Sequence, residues 1–219
     1  AAIESKGRAR IVVSTGSSQF EMFSALIKEE IDWTRVIMFH LDEYVGLPES
    51  HIASFRKYLK ERFVSLVPIK EAHFVNGEGD IDKNIKELTI ELRKEPIDVG
   101  IIGIGENGHI AFNDPPADFT TDEAYKVVVL DTKCRMQQVG EGWFETIDDV
   151  PEKAISMMPK EIMKAEHIVT VAPHSVKAKA IYDTITHSVS PDVPATLLKT
   201  HPDWNLFIDD DSAAMLFGK

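Results

Sequence analysis

"IDVGIIGIGENGHIAFNDPP", residues 97–116, decides the fold and opens the question of function. Its first half, "DVGIIGI" (98–104), is the most apolar strand-like run of the chain. A run this continuously apolar fits a strand buried on both faces near the centre of a sheet. Its second half is polar, holds two glycines and stops at two prolines. Two functions compete for it. Gly103, Gly105 and Gly108 fit G-x-G-x-x-G, the dinucleotide-binding fingerprint. Asp131, ending the next strand "YKVVVLD", stands about where a ribose-binding acid would. Alternatively, the loop presents His109 to a substrate. The fingerprint needs a helix that begins inside the motif, because the helix N-terminus holds the pyrophosphate. Asn113, Asp114, Pro115 and Pro116 follow too soon for that. Pro116 brings no backbone donor and restricts Pro115 before it. The motif also follows a late strand rather than the first. The glycines are therefore expected to let the backbone turn tightly and close on a ligand. Asn107 and Asp114 are near enough in sequence to orient the His109 imidazole, as acid–base catalysis requires. A histidine simply hydrogen-bonded into a loop is the competing, inert explanation.

Outward from this strand, apolar runs alternate with helical patterns in both directions. "RIVVS" (10–14), "RVIMFH" (35–40) and "AHFV" (72–75) read as strands. So do "YKVVVL", "AISMM", "HIVTVA" and "WNLFID" after it. Phe20, Phe23, Leu26 and Ile27 recur at helical spacing, as do Phe55, Leu59, Phe63 and Leu66. Ile81, Ile85, Leu88 and Leu92 mark a third amphipathic helix, with Asp80 as its N-cap. Further helical stretches fall near 159–166, 174–187 and 194–200. The alternation predicts one α/β domain over residues 1–219, a Rossmann-like three-layer sandwich with a mostly parallel sheet and helices on both faces.

In open α/β sheets, ligands bind beyond the carboxyl ends of the strands. Four polar or glycine-rich segments follow strands and converge on that edge: "STGSS" (14–18), "HLDEY" (40–44), "GENGHIAFNDP" (105–115) and "APHSVK" (172–177). In "LDEY", Asp42 and Glu43 are adjacent, so in extended chain only one need face the crevice. A carboxylate over a partly apolar crevice can serve as a general base; a solvated acidic turn is the alternative. Thr15, Gly16, Ser17 and Ser18 lead into a helix, and their hydroxyls with free N–H groups would cradle phosphate. Ser17 or Ser18 could equally just cap that helix. Lys177 would complete a phosphate site, or be one more solvated lysine.

The bulk composition narrows the partners. The chain has 219 residues, 24 basic against 36 acidic, and a formal net charge of −12. That disfavours nucleic acid and anionic membranes, which call for basic surfaces. Apolar residues make up 43% and charged residues 27%, with no apolar run near the ~20 residues of a membrane span. Cys134 is the only cysteine, which excludes an internal disulfide and points to a reducing compartment, the cytoplasm. No H-E-x-x-H metal spacing and no G-x-S-x-G elbow occurs. An acid, a histidine with orienting groups and a phosphate cradle suit proton transfer beside a sugar-phosphate carbonyl.

"FHLDEYVGLP" together with "GIGENGHIAFNDP" resembles the glucosamine-6-phosphate deaminase (glucosamine-6-phosphate isomerase) family, which is grouped with the 6-phosphogluconolactonases. The likeness runs from "STGSS" to "LFIDD"; the strand and helix that the family carries at its N-terminus have no counterpart here. The lactonase branch carries D-E-R and G-P-D-G-H-T-A-S-L-F, whereas here Tyr44 follows Asp-Glu and the loop continues "GHIAFN". The resemblance implies conversion of glucosamine 6-phosphate, or a close relative, to fructose 6-phosphate and ammonia, with no cofactor and no metal. It implies that Asp42 moves a proton between C2 and C1 and that His109, oriented by Asn107 and Asp114, opens the sugar ring. It assigns Thr15 to Ser18 and Lys177 to the phosphate. Its implied partner is a small phosphorylated amino sugar; assembly into a homo-oligomer is open. Four departures bear on the substrate: Asn107 where many members have Asp, Asp114 where Glu is usual, Ser17 in place of a second glycine, and Gln138 near the place of a phosphate-gripping arginine. Arg135, one helical turn before Gln138, is the candidate substitute. Two rivals remain, a 6-phosphogluconolactonase-type hydrolase and a non-catalytic sugar-phosphate sensor.

Overall fold

The computed structural model describes residues 1–218. In chain order the elements are α1 (Ala2–Lys6), β1 (Ala9–Val13), α2 (Phe20–Leu26), β2 (Val36–His40), β3 (Asp42–Tyr44), α3 (Phe55–Leu59), β4 (Glu71–His73), α4 (Ile81–Leu92) and β5 (Val99–Ile102). They continue with β6 (Tyr125–Val129), α5 (Thr132–Gly140), β7 (Lys153–Met157), α6 (Pro159–Ile162), β8 (His167–Val171), α7 (Ala178–Thr186), β9 (Trp204–Phe207) and α8 (Ala214–Phe217). Six strands form one parallel sheet in the order β4-β2-β1-β5-β8-β9. The most apolar run, now β5, lies at its centre. The sheet grows outward from β1 through β2 and β4 on one side, and from β5 through β8 and β9 on the other. The β1–β5 seam is thus the topological switch point, where a crevice opens beyond the strand ends.

Alternate residues of the central strands feed two cores. Val12, Phe39 and Ile102 pack on one face with Leu88 and Leu92 of α4 and Ile181 of α7. Ile11, Val13, Met38 and Ile101 pack on the other with Phe23 of α2, Leu59 of α3 and Phe63. This is the three-layer arrangement that the alternation of elements predicts, and at ~25 cal/mol per Å² of apolar surface the two faces supply most of the drive to fold. Capping follows the side chains: Asp80 accepts from the Lys83 amide at 3.0 Å to start α4.

Four local expectations need correction. "YKVVVL" and "AISMM" do not join the parallel sheet. They form β6 and β7 of a separate antiparallel sheet, in the order β3-β7-β6. Its third member, β3, is the "DEY" segment expected as loop. It leaves β2 after a single residue, Leu41, which is too short a link for a crossover back into the parallel sheet. The helix expected from the spacing of Phe55, Leu59, Phe63 and Leu66 is α3 followed by a π turn, Lys60–Val64, and the stretch at 194–200 is a 3-10 helix, Pro194–Thr200. No helix is long and apolar enough to cross a membrane among the described residues.

Candidate active site

The loop after β5 holds His109 by backbone geometry. The Gly108 amide closes a turn onto the Gly105 carbonyl at 3.0 Å, and Gly105 N–H donates to the His109 carbonyl at 2.9 Å. Gly108 has φ of 83°, a left-handed conformation that glycine adopts without strain. Gly105 lies directly under the imidazole: a Cβ there would come within 2.2 Å of ring atoms. Two of the three fingerprint glycines therefore seat a histidine. No helix begins between Gly103 and Tyr125, so the dinucleotide fingerprint has no pyrophosphate end.

His109 Nδ1 is 3.2 Å from Asp114 Oδ1. Asn107 does not face the ring. Its Oδ1 accepts from the His109 backbone amide at 3.1 Å, and its Nδ2 donates to Asp114 Oδ1 at 3.0 Å. The Asp131 amide donates to Asp114 Oδ2 at 3.2 Å. Burial alone would raise the Asp114 carboxyl, but the hydrogen bond and charge of His109, with the Asn107 and Asp131 donors, hold it below its usual value. Cys134 joins this group, which sequence reasoning missed: its Sγ, a ring nitrogen of His109 and an Asp114 oxygen lie within 4.8 Å of one another. Burial first, and the Asp114 and Asp131 carboxylates next, push the Cys134 thiol up. The loop is pinned to the small sheet. Asn113 Nδ2 donates to Ser156 Oγ at 3.1 Å and to the Met157 carbonyl at 2.8 Å, and Ser156 Oγ also accepts the Phe112 amide at 3.1 Å.

Asp42 and Glu43 diverge as strand geometry requires. Asp42 lines the cleft together with His109, and its carboxylate has no hydrogen bond among the described residues. Burial, and then the charge of Glu43, raise its carboxyl well above the usual value. Glu43 points away and is fully buried. Its Oε2 accepts from Ser54 Oγ at 2.8 Å, from the Arg56 amide at 2.9 Å and from Arg56 Nε at 3.2 Å. Its Oε1 accepts from the Tyr44 amide at 3.0 Å and the Phe55 amide at 3.2 Å.

Thr15, Gly16, Ser17, Ser18 and Lys177 line the same cleft as Asp42 and His109. Neither serine caps α2: a 3-10 turn, Ser17–Gln19, precedes the helix, and no side-chain capping bond forms. Lys177 is 5% exposed, and its ammonium makes no hydrogen bond among the described residues. Burial lowers its pKa, against the opposing pull of Glu141 and Glu106. Arg135 does not reach the cleft. Its Nη2 donates to the Ile147 carbonyl at 2.6 Å and the Val150 carbonyl at 3.1 Å, so the structure gives it no part in the phosphate cradle. Gln138 does line the cleft, with its Oε1 taking the Tyr44 hydroxyl at 2.8 Å. Gln137 and Glu141 line it too, and sequence reasoning missed both.

Fold and site together define a sugar-phosphate α/β enzyme class: a parallel sheet with its cleft at the switch point, an unpaired acid, a histidine–carboxylate pair and a buried lysine. The family model described as glucosamine-6-phosphate isomerases/6-phosphogluconolactonase matches residues 1–206. The chain belongs to that family. It is 34% identical over 208 residues to a glucosamine-6-phosphate deaminase of Oenococcus oeni, covering 94% of this chain and 86% of the relative. It is 36% identical over 205 residues to one from Listeria welshimeri, covering 93% and 86%. A solved structure described as a monomeric glucosamine-6-phosphate deaminase superposes with a TM-score of 0.89 at 27% identity, over 98% of this chain and 90% of that one. The 6-phosphogluconolactonase of Thermotoga maritima shares the fold, with a TM-score of 0.77 at 16% identity over 94% and 87%.

Proposed function

We propose that this protein converts glucosamine 6-phosphate, or a close amino-sugar phosphate, to fructose 6-phosphate and ammonia. The observation that carries the proposal is a single cleft that holds an unpaired buried carboxyl, Asp42, beside His109 with its Asp114 partner and the buried ammonium of Lys177. The phosphate goes to Thr15–Ser18 and Lys177, where a low-dielectric setting strengthens the attraction. His109 exchanges protons with the ring oxygens to open the sugar, with Asp114 steadying its charged form. Asp42 takes the proton from C2 and returns it at C1, which turns the aldose into a ketose-level imine; water then releases ammonia. A raised carboxyl suits this role, because a base strong enough to take a carbon-bound proton must have a higher pKa than a solvated carboxylate. Asn107 contributes by fixing Asp114 and the His109 backbone. A lone cysteine held in the interior is compatible with work in a reducing cytoplasm.

The test is ammonia release over a panel of amino-sugar phosphates, run beside hydrolysis of 6-phosphogluconolactone and beside C2–deuterium exchange in heavy water. Ammonia release with exchange at C2 is expected. Lactone hydrolysis without exchange would move the protein to the hydrolase branch, and binding without either reaction would make it a sensor.

A further inference from the structure

Two pockets adjoin at the cleft. The one that holds Asp42 and His109 has a volume of about 60 Å³. The other, lined by residues that include Asn107, Lys133 and His174, has about 930 Å³. Ser17, Ser18, Gln137, Glu141 and Lys177 line both. A cavity needs ~10–15 Å³ per water, so the smaller pocket has room for a few waters and a phosphorylated sugar would extend into the larger one. Among the residues they share stands a carboxylate. Glu141 Oε1 accepts from Gln137 Nε2 at 2.7 Å. Its Oε2 accepts from Trp143 Nε1 at 3.0 Å and, across the cleft, from Ser17 Oγ at 3.4 Å. The cradle thus contains one cation, Lys177, and one resident anion that already holds a cradle hydroxyl. Gln138, where the family resemblance leads one to expect a cationic side chain, adds no charge, and Arg135 is turned away.

We propose that Glu141 sets the affinity of the phosphate end of the cleft, competing with the ligand's phosphate for the Ser17 hydroxyl and the Lys177 charge. The proposal rests on the phosphate cradle proposed above. A fixed anion lowers the affinity of every phosphate by a similar factor. Free inorganic phosphate, which has only the cradle to hold, then binds too weakly to occupy the site. A phosphorylated sugar that also reaches Asp42 and His109 still binds. Gly140 and Gly142 flank Glu141, and Gly142 has φ of 79°, so the backbone on either side carries no Cβ to oppose a swing of the carboxylate away from Ser17.

Titration of inorganic phosphate into the wild type and into E141Q, followed by calorimetry and by tryptophan fluorescence, reads this without turnover. E141Q keeps the side chain's size and removes its charge. Phosphate is expected to bind about tenfold more tightly to E141Q, because one like charge near a dianion has been removed at a partly buried site. The gain is expected to shrink as salt rises. Equal or weaker binding to E141Q overturns the proposal, as does the absence of phosphate binding to both proteins. If phosphate binds as expected but no amino-sugar phosphate releases ammonia, the deaminase reading fails while Glu141 keeps its role.

Discussion

Asp42 and Glu43 are adjacent carboxylates in one strand, and the two faces of β3 make them opposites. Glu43 is completely enclosed yet satisfied, with five donors around it, the Arg56 guanidinium among them. Asp42 is nearly as buried, 6% exposed, and has no donor among the described residues. The difference teaches where this fold spends its polar groups. Burying a charge is tolerated when hydrogen bonds replace its water, and it raises the pKa when they do not. The satisfied carboxylate holds structure: it joins β3 to the start of α3 and, through Arg56, to Asn76 and Glu78. The unsatisfied one faces the cleft with His109 and is the base proposed above.

Four experiments would break or sharpen that contrast. Asp42→Asn should leave folding intact and KM little changed while kcat falls by ~10²–10⁴, since the amide keeps the shape but cannot take the C2 proton. Wild-type kcat in this variant would remove Asp42 from the mechanism. Glu43→Ala should do the reverse. Stripping one partner from a buried ion pair costs about 3–5 kcal/mol, so the urea midpoint should drop sharply with the m-value unchanged. A stability loss below ~1 kcal/mol would mean that Arg56 finds its partners elsewhere.

His40 supplies a third case, a buried ionisable group facing no cleft. Both ring nitrogens lack a hydrogen-bond partner among the described residues, and burial with the nearby charge of Arg56 pushes its pKa down to about 3. The folded value lies below the ~6.5 of an exposed histidine, so the unfolded chain takes up the proton first as pH falls. Stability from neutral His40 is therefore complete above pH ~6.5 and declines by up to ~1.4 kcal/mol per pH unit on the way toward pH 3. Asp42 works in the opposite sense: its raised carboxyl removes stability as pH rises from the usual carboxylate range. The wild type minus His40→Leu difference isolates the histidine, and a flat difference between pH 6.5 and 4 would contradict the assignment. The smallest effect is expected from Asn107→Asp. It removes the amide donor to Asp114 and sets a like charge against it, so the Asp114 carboxyl should rise. The acidic limb of kcat/KM should move up by up to about one pH unit. A limb that stays put would exclude Asp114 from controlling it.

Much of this was legible in the chain itself, and the gaps have physical causes. The central parallel strands β1, β2 and β5 read clearly because they are covered on both faces and so are apolar at nearly every position. The small sheet did not, because the buried run Ala154, Ile155, Ser156 and Met157 looks just like another central strand. Only β6 hints otherwise, with Val127 and Val129 exposed on one side. That His109 and Asp42 share one cleft was legible from their place after strands. The side of the strand on which each carboxylate falls was not, beyond the expectation that the two differ. Arg135 failed because its partners are backbone carbonyls of residues 147 and 150, which no side-chain spacing reports. Glu141 was invisible for a related reason. It follows the end of α5, and its meeting with Ser17 spans 124 positions of sequence.

Leu41 is the only residue between β2 and β3. Its carbonyl is held by the Met157 amide at 2.8 Å, so the strand that follows starts from a fixed point. Side chains along a strand alternate faces, and one inserted residue reverses them all. A single insertion after Leu41 would turn Asp42 toward Arg56 and Glu43 toward the cleft. The chain would keep both carboxylates and nearly all of its sequence, yet it would present a side chain one methylene longer to the substrate and leave the α3 anchor with a shorter one. The count of residues between these two strands is therefore as much a part of the site as any side chain in it, and lineages descended from this sequence should tolerate substitution at position 41 far better than any change in length there.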